Sequence, residues 1–177
     1  YPRFSNVPIK ESELLSGELE PTNQWYAITK IQGVKMCEAY NRQYNSNFSC
    51  VMPTNLFGIN DKYDETSHVI PALIKRIHNA KINKKTSVKV WGDGSPRREF
   101  MYADDCAKII CKILLNKKYF KLINIGTGED ITIKKLAKKI CKTVGFKGKI
   151  IYDKKKPNGV IRKTLEISKI KKLKLNK

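Results

Sequence analysis

Glu20-Pro21-Thr22-Asn23-Gln24-Trp25-Tyr26-Ala27-Ile28-Thr29-Lys30 opens a stretch that runs without another proline to about Tyr44. Asn45-Ser46-Asn47 stop it, and the apolar run Phe48-Ser49-Cys50-Val51-Met52 follows at once, ended by Pro53. Thr22 or Asn23 can cap a helix beginning after Pro21. Ile28, Ile31, Val34 and Cys37 recur every three residues, which is one stripe of that helix. The run over 48–52 has the length and character of a buried strand. A helix leading into such a strand is an α/β signature, and it sets the expected fold class.

The rest of the chain repeats the alternation. Residues 1–22 read as a loop rich in Pro, Ser and Glu, and 53–68 as a second loop. A helix is expected from Val69 to about Ala80, with Pro71 tolerated in its first turn. Ser87 to Trp91 reads as a strand, closed by the turn Gly92-Asp93-Gly94-Ser95-Pro96. Asp104 or Asp105 starts a third helix to about Leu115, and Lys121 to Ile125 is a strand closed by Gly126-Thr127-Gly128. Thr132 caps a fourth helix to about Val144, with Gly145 just past its end. Lys149 to Tyr152 is a short strand, followed by a Lys-rich loop and one more helix.

The chain has 177 residues and a formal net charge of +20. Its hydrophobic fraction of 41% argues against a disordered basic tail. No apolar run approaches the ~20 residues that span a membrane. The charge invites a nucleic-acid reading, but its placement does not support one. Residues 134–177 hold 17 Lys/Arg against 2 Asp/Glu. Of the 36 basic residues only 6 are Arg, the residue whose fork matches base edges and phosphates. A solvated lysine-rich surface is the better reading. The five cysteines show no Cys-x-x-Cys and the chain has two His, which argues against zinc and for reduced thiols in a cytoplasmic protein.

Tyr26 and Lys30 are four apart, so a helix puts them on one face. An ammonium beside a phenol favours the phenolate and suits the Tyr to proton transfer near neutrality. This is the Tyr-x-x-x-Lys pair of short-chain dehydrogenases/reductases. A second match, Tyr152/Lys156, lies beside Pro157 outside any expected helix and reads as accidental.

Longer blocks are more specific. The stretch from Glu20 to Lys30, then Cys37-Glu38-Ala39-Tyr40-Asn41-Arg42-Gln43-Tyr44, resembles the GDP-L-fucose synthase family of extended short-chain dehydrogenases/reductases. The resemblance continues through Met52-Pro53-Thr54-Asn55-Leu56-Phe57-Gly58 and Ser67-His68-Val69-Ile70-Pro71-Ala72-Leu73-Ile74. It runs on through Val90-Trp91-Gly92-Asp93-Gly94-Ser95-Pro96-Arg97-Arg98-Glu99-Phe100 and Asn124-Ile125-Gly126-Thr127-Gly128-Glu129-Asp130-Ile131-Thr132-Ile133. Lys156-Pro157-Asn158-Gly159 and Arg162-Lys163 extend it towards the end.

The resemblance implies NADPH-dependent conversion of GDP-4-keto-6-deoxy-D-mannose to GDP-L-fucose, by epimerisation at C3 and C5 and reduction at C4. Tyr26 matches the tyrosine that protonates the C4 oxygen, and Lys30 the lysine that tunes it and holds the nicotinamide ribose. Pro53, Thr54, Asn55 and Leu56 match a loop lining the nicotinamide. His68 matches a histidine that contacts the cofactor region and does acid/base work in epimerisation. Arg76, Trp91, Arg98 and Lys163 fall where the family contacts the GDP-sugar. Trp91 as core, and His68 as a packing residue at a helix start, are the plainer alternatives; His78 reads as a surface helix residue.

The family's Gly-x-x-Gly-x-x-Gly phosphate loop is not in this sequence, and its catalytic serine and a cysteine acid/base are expected just before Tyr1. The implied fold is therefore the C-terminal portion of a Rossmann-like enzyme with a small α/β substrate domain. The expected division is 1–57 and 99–126 in the nucleotide-binding domain, 58–98 and 127–177 in the substrate domain. A homodimer through the Tyr26/Lys30 helix is expected by analogy, with neither nucleic acid nor membrane as partner. Alternatives are another nucleotide-sugar epimerase, reductase or dehydratase, a Lys-rich nucleic-acid module, or a non-catalytic remnant.

Overall fold

A computed structural model describes residues 1–64, 67–115, 121–155 and 158–173. Lys156 and Pro157, part of the resemblance above, lie outside the described residues. After a short 3-10 turn at Glu11–Glu13 the elements are α1 (Gln24–Tyr44), β1 (Val51–Pro53), β2 (Asn55–Phe57), α2 (Val69–Ile82) and β3 (Ser87–Trp91). Next come β4 (Arg97–Arg98), β5 (Phe100–Tyr102), α3 (Ala103–Leu115), β6 (Ile123–Ile125) and β7 (Ile131–Thr132). The order closes with α4 (Ile133–Val144), β8 (Lys149–Asp153), β9 (Arg162–Lys163) and α5 (Ser168–Lys172). No helix among the described residues is long and apolar enough to cross a membrane.

Two units divide the chain. The first comprises Tyr1–Leu56, Glu99–Glu129 and Thr164–Lys177, the second Phe57–Arg98 and Asp130–Lys163. This division differs at both ends from the expected carriage of 127–177 as one substrate segment. The reason lies in the sequence of apolar residues: Leu165 and Ile167 cluster with Ile9, and Ile170 joins the core built on β6, all within the first unit.

In the first unit β1 and β6 pair in parallel, Val51 opposite Ile123 and Pro53 opposite Ile125, and β2 pairs with β5. All three residues of β6 are buried, as a strand covered on both faces must be. Cys106, Ile109 and Ile113 of α3 recur at helical spacing and pack onto Ile123 and Ile125. Asn124, at the centre of β6, is fully buried and therefore has to be satisfied. Its amide NH2 donates to the carbonyls of Ile9 (2.9 Å) and Glu166 (3.0 Å), and its backbone N–H donates to Glu11 Oε1 (3.1 Å). Tyr1 donates its hydroxyl to Asn124 Oδ1, and burial first, then the Glu11 charge, pushes that phenol far above its usual range.

The strand expected over 48–52 is displaced: β1 is Val51–Pro53, and Phe48 lies exposed. Asn41 explains the difference, because its side chain donates to the Phe48 carbonyl and accepts from the Phe48 N–H, both at 2.8 Å. That pair holds the turn after α1, which ends with Asn45 in the left-handed region at φ 51°. Asn23 occupies the helix start but makes no side-chain cap. Of the expected apolar stripe only Val34 is buried.

In the second unit β3 and β8 pair in parallel from Ser87–Lys149 to Trp91–Asp153. Val88 and Val90 are buried while Lys89 and Trp91 are exposed, the alternation of a half-covered strand. Helices α2 and α4 pack together, and Leu73, Ile77 and Ala80 of the one and Leu136, Ala137, Ile140 and Cys141 of the other are buried. Thr132 caps α4 by accepting from Lys135 N–H at 3.1 Å, and Gly145 ends it at φ 76°, both as expected. A three-stranded sheet runs β7-β4-β9, with β4 antiparallel to β7 and parallel to β9.

Glu99 is wholly buried in the first unit. Its carboxylate accepts backbone N–H groups from Thr127 (2.5 Å), Gly128 (2.8 Å) and Leu165 (2.8 Å). A Cβ on Gly126 would stand 2.2 Å from Glu99 Oε1, so only glycine fits there. Glu99→Ala takes the acceptor from three backbone donors, of which Leu165 N–H is buried and those of Thr127 and Gly128 are part-buried. It is expected to lower unfolding free energy by more than about 3 kcal/mol, read from urea denaturation; a loss within ~0.5 kcal/mol would show the anchor to be dispensable.

Candidate active site

The expected site residues divide between the units, and each set is built by its own unit. In the first, Tyr26 and Lys30 lie one turn apart near the start of α1, both exposed. Lys30 Nζ stands over the Tyr26 ring, 5.3 Å from its centroid, a cation–π approach. Thr29 returns its hydroxyl to the Tyr26 carbonyl at 2.7 Å. The pairing on one helical face that the spacing implied is therefore present, with the phenol open to solvent.

Pro53, Thr54, Asn55 and Leu56 form the exit of β1 into β2. This is the carboxyl end of a parallel strand, where α/β sheets take their ligands. Thr54 N–H donates to the Ile125 carbonyl at 2.9 Å, which extends the β1–β6 pairing by one residue. Thr54 Oγ1 (3.1 Å) and Asn55 Nδ2 (2.8 Å) both donate to the Glu99 carbonyl. Glu99 thus holds this loop with its main chain and the Thr127–Gly128 turn with its side chain. Reading the sequence did not single it out; the available signal was one carboxylate between Arg98 and the apolar strand Phe100-Met101-Tyr102.

In the second unit the Arg76 guanidinium lies over the Trp91 ring, 5.5 Å from the centroid, and donates to the Lys89 carbonyl at 3.2 Å. Trp91 is 56% exposed, so its reading as core is set aside. His68 is the residue preceding α2, exposed, with no side-chain cap bond; its carbonyl accepts from Ala72 N–H at 3.0 Å. His78 is exposed further along α2.

Arg98 and Lys163 are brought together by register, since β4 and β9 pair them as parallel neighbours. Arg98 donates to the Arg97 carbonyl at 2.8 Å, and a Cβ on Gly159 would stand 3.5 Å from Arg98 Nη2. The neighbouring Asn158 side chain accepts from Asp93 N–H at 2.9 Å, fixing Asn158-Gly159 against the Gly92–Asp93 turn. Burial lowers the Arg98 pKa, and burial together with the Arg98 charge lowers that of Lys163. Lys163 is reachable by solvent yet walled by protein on most sides, and crowding of that kind is what disfavours its ammonium. Two crowded cations, neither ion-paired among the described residues, make a place for an anion.

Residues 1–126 match the NAD dependent epimerase/dehydratase family. The chain belongs to that family. It is 47% identical over 171 residues to a GDP-L-fucose synthase of Sinorhizobium fredii, covering 96% of this chain and 54% of that protein. It is 45% identical over 183 residues to the GDP-L-fucose synthase of Escherichia coli, covering 98% and 57%. A GDP-L-fucose synthetase structure from Naegleria fowleri bound to NADP superposes with a TM-score of 0.89 at 28% identity, over 98% of this chain and 56% of that one. The chain spans about half the length of the curated relatives it matches. Its epimerase/dehydratase fold is α/β and Rossmann-like.

Lys163 is expected to titrate below the ordinary lysine range of about 10.4. An NMR titration of its Cε signal checks this, with Arg98→Met returning the midpoint upward. A midpoint at the free-lysine value would show that Arg98 does not act on it.

Proposed function

We propose that this chain is the later half of a GDP-L-fucose synthase. The whole enzyme would epimerise GDP-4-keto-6-deoxy-D-mannose at C3 and C5 and reduce it at C4 with NADPH. The observation that carries the reading is identity of 47% across 96% of the chain to an enzyme of that name, with the Tyr26/Lys30 pair exposed on α1. Another nucleotide-sugar enzyme of the family is the second reading.

The donor set fits the nicotinamide–ribose end of the cofactor. A phenol and an ammonium share one helical face, and Pro53–Leu56 lie at the carboxyl end of a parallel strand. His68 stands in the second unit, just before α2, and its cofactor and acid/base role rests on the family resemblance. NADPH, when bound, supplies the hydride. Tyr26 donates its hydroxyl proton to the C4 oxygen, and Lys30 holds positive charge at that phenol and offers donors to a ribose. The C4 ketone acidifies the protons at C3 and C5, and the exposed imidazole of His68 moves them. Arg98 and Lys163 hold the diphosphate by charge, Arg98 through its fork. Trp91, backed by Arg76, offers a flat face to the base or sugar.

A homodimer belongs to the same proposal. Helix α1 is 21 residues long with only Val34 buried. Trp25, Ile28, Met36, Tyr40 and Tyr44 stand exposed along it, and Tyr40 and Tyr44 rings meet at 5.3 Å. So long an apolar stripe is covered in a stable protein, and a second copy of α1 is the occupant that the family resemblance implies. A cytoplasmic location follows the same reading, with all five cysteines free.

Three substitutions in the full-length protein test these roles. Tyr26→Phe is expected to cut ketone reduction by about 10²–10⁴-fold while GDP-sugar binding survives. His68→Gln should slow deuterium exchange at C3 and C5 more than it weakens binding. Unchanged turnover, or unchanged exchange, would refute the respective role. Tyr40→Glu should convert dimer to monomer in sedimentation velocity; a dimer that persists would place the interface elsewhere.

A further inference from the structure

Strands β4 and β9 are two residues each, far too short to hold their own register. Their pairing nevertheless decides where Arg98 and Lys163 stand. Two like charges side by side repel, so something must hold them there against that repulsion.

The Asp130 side chain is 2% exposed. One carboxylate oxygen, Oδ1, accepts from Arg97 Nε. The other, Oδ2, accepts from Arg162 Nε at 2.6 Å. The Asp130 carbonyl takes a third bond, from Arg97 Nη2 at 3.2 Å. Arg97 and Arg162 are themselves register partners across β4 and β9, and Arg98 and Lys163 are the next pair along. Successive residues of a strand point to opposite faces. A carboxylate that clamps Arg97 and Arg162 on one face therefore sends Arg98 and Lys163 to the other. The clamp is a buried carboxylate bridging two part-exposed arginines, and a carboxylate so enclosed is costly to leave without its partners. The same residue immediately precedes β7, the third strand of this sheet, whose Thr132 caps α4.

We propose that Asp130 is a positioning residue for a nucleoside-diphosphate site formed by Arg98 and Lys163. It touches no ligand. Its one negative charge offsets part of the charge of the two arginines and occupies their donors, and it locks the register that presents the other two cations together. The inference rests on the reading of Arg98 and Lys163 as diphosphate contacts, and the experiment separates the two.

The test is calorimetric titration of GDP into the full-length protein and its variants. Charge alone predicts that Asp130→Asn, which deletes a negative group from a basic cluster, binds GDP more tightly. Positioning predicts the opposite sign, a weakening of about tenfold. Arg97→Lys with Arg162→Lys keeps every charge but loses the fork geometry. It is expected to weaken GDP severalfold, and it carries the test if Asp130→Asn does not fold by near-ultraviolet circular dichroism. Arg98→Ala and Lys163→Ala must weaken GDP in the parent protein. If they do so while both clamp variants bind as tightly as the parent or tighter, the positioning role is overturned and the diphosphate site stands. If the parent protein does not bind GDP, or Arg98→Ala and Lys163→Ala leave its affinity unchanged, the diphosphate reading falls and the role of Asp130 falls with it.

Discussion

A carboxylate removed from water has to find donors for its lone pairs, and Glu99 finds them in three backbone N–H groups. Those donors belong to segments far apart in sequence, Thr127–Gly128 and Leu165. The requirement therefore joins the end of the β6 loop to the returning C-terminal segment. Through its carbonyl the same residue receives Thr54 and Asn55, the exit of β1. Gly126 is the complement of this arrangement, since any side chain there would collide with the carboxylate. The first unit is organised around that constraint and around Asn124, which draws Ile9, Glu11 and Glu166 onto β6 in the same way.

The second unit solves a related problem with charges of opposite sign. Its sheet brings four cations, Arg97, Arg98, Arg162 and Lys163, into two adjacent register pairs. One pair shares the Asp130 carboxylate and the other is carried to the opposite face of the strands. The division separates two arginines tied to a carboxylate from two cations that have no ion pair among the described residues. The many lysines of α4 do not take part. They form the polar face of a helix whose apolar face is packed on α2.

The +20 charge is correspondingly less informative than its size suggests. Lys134, Lys135, Lys138, Lys139 and Lys142 are exposed at helical spacing, the pattern of a solvated surface. Arg98 and Lys163 differ from these lysines by their crowding. Arg98 and Lys163 have shifted titration because protein surrounds them.

Much was legible in the sequence for reasons that are local. Helix periodicity, the Thr132 cap and the Gly145 stop act over a few residues, so α2, α3 and α4 could be read directly. The β3 strand could be read from its alternation, and Tyr26 with Lys30 from one helical turn. The strands of two or three residues were not legible, because they exist only through partners distant in sequence. Nor could the local pattern tell that Ile28 would stay exposed, that Asn41 would hold Phe48 out of β1, or that residues 164–173 would return to the first unit. Glu99, Asn124 and Asp130 look like ordinary polar residues in the chain. What each does is decided by which donors the fold carries to it, and hydrogen bonds across dozens of residues leave no periodicity to read.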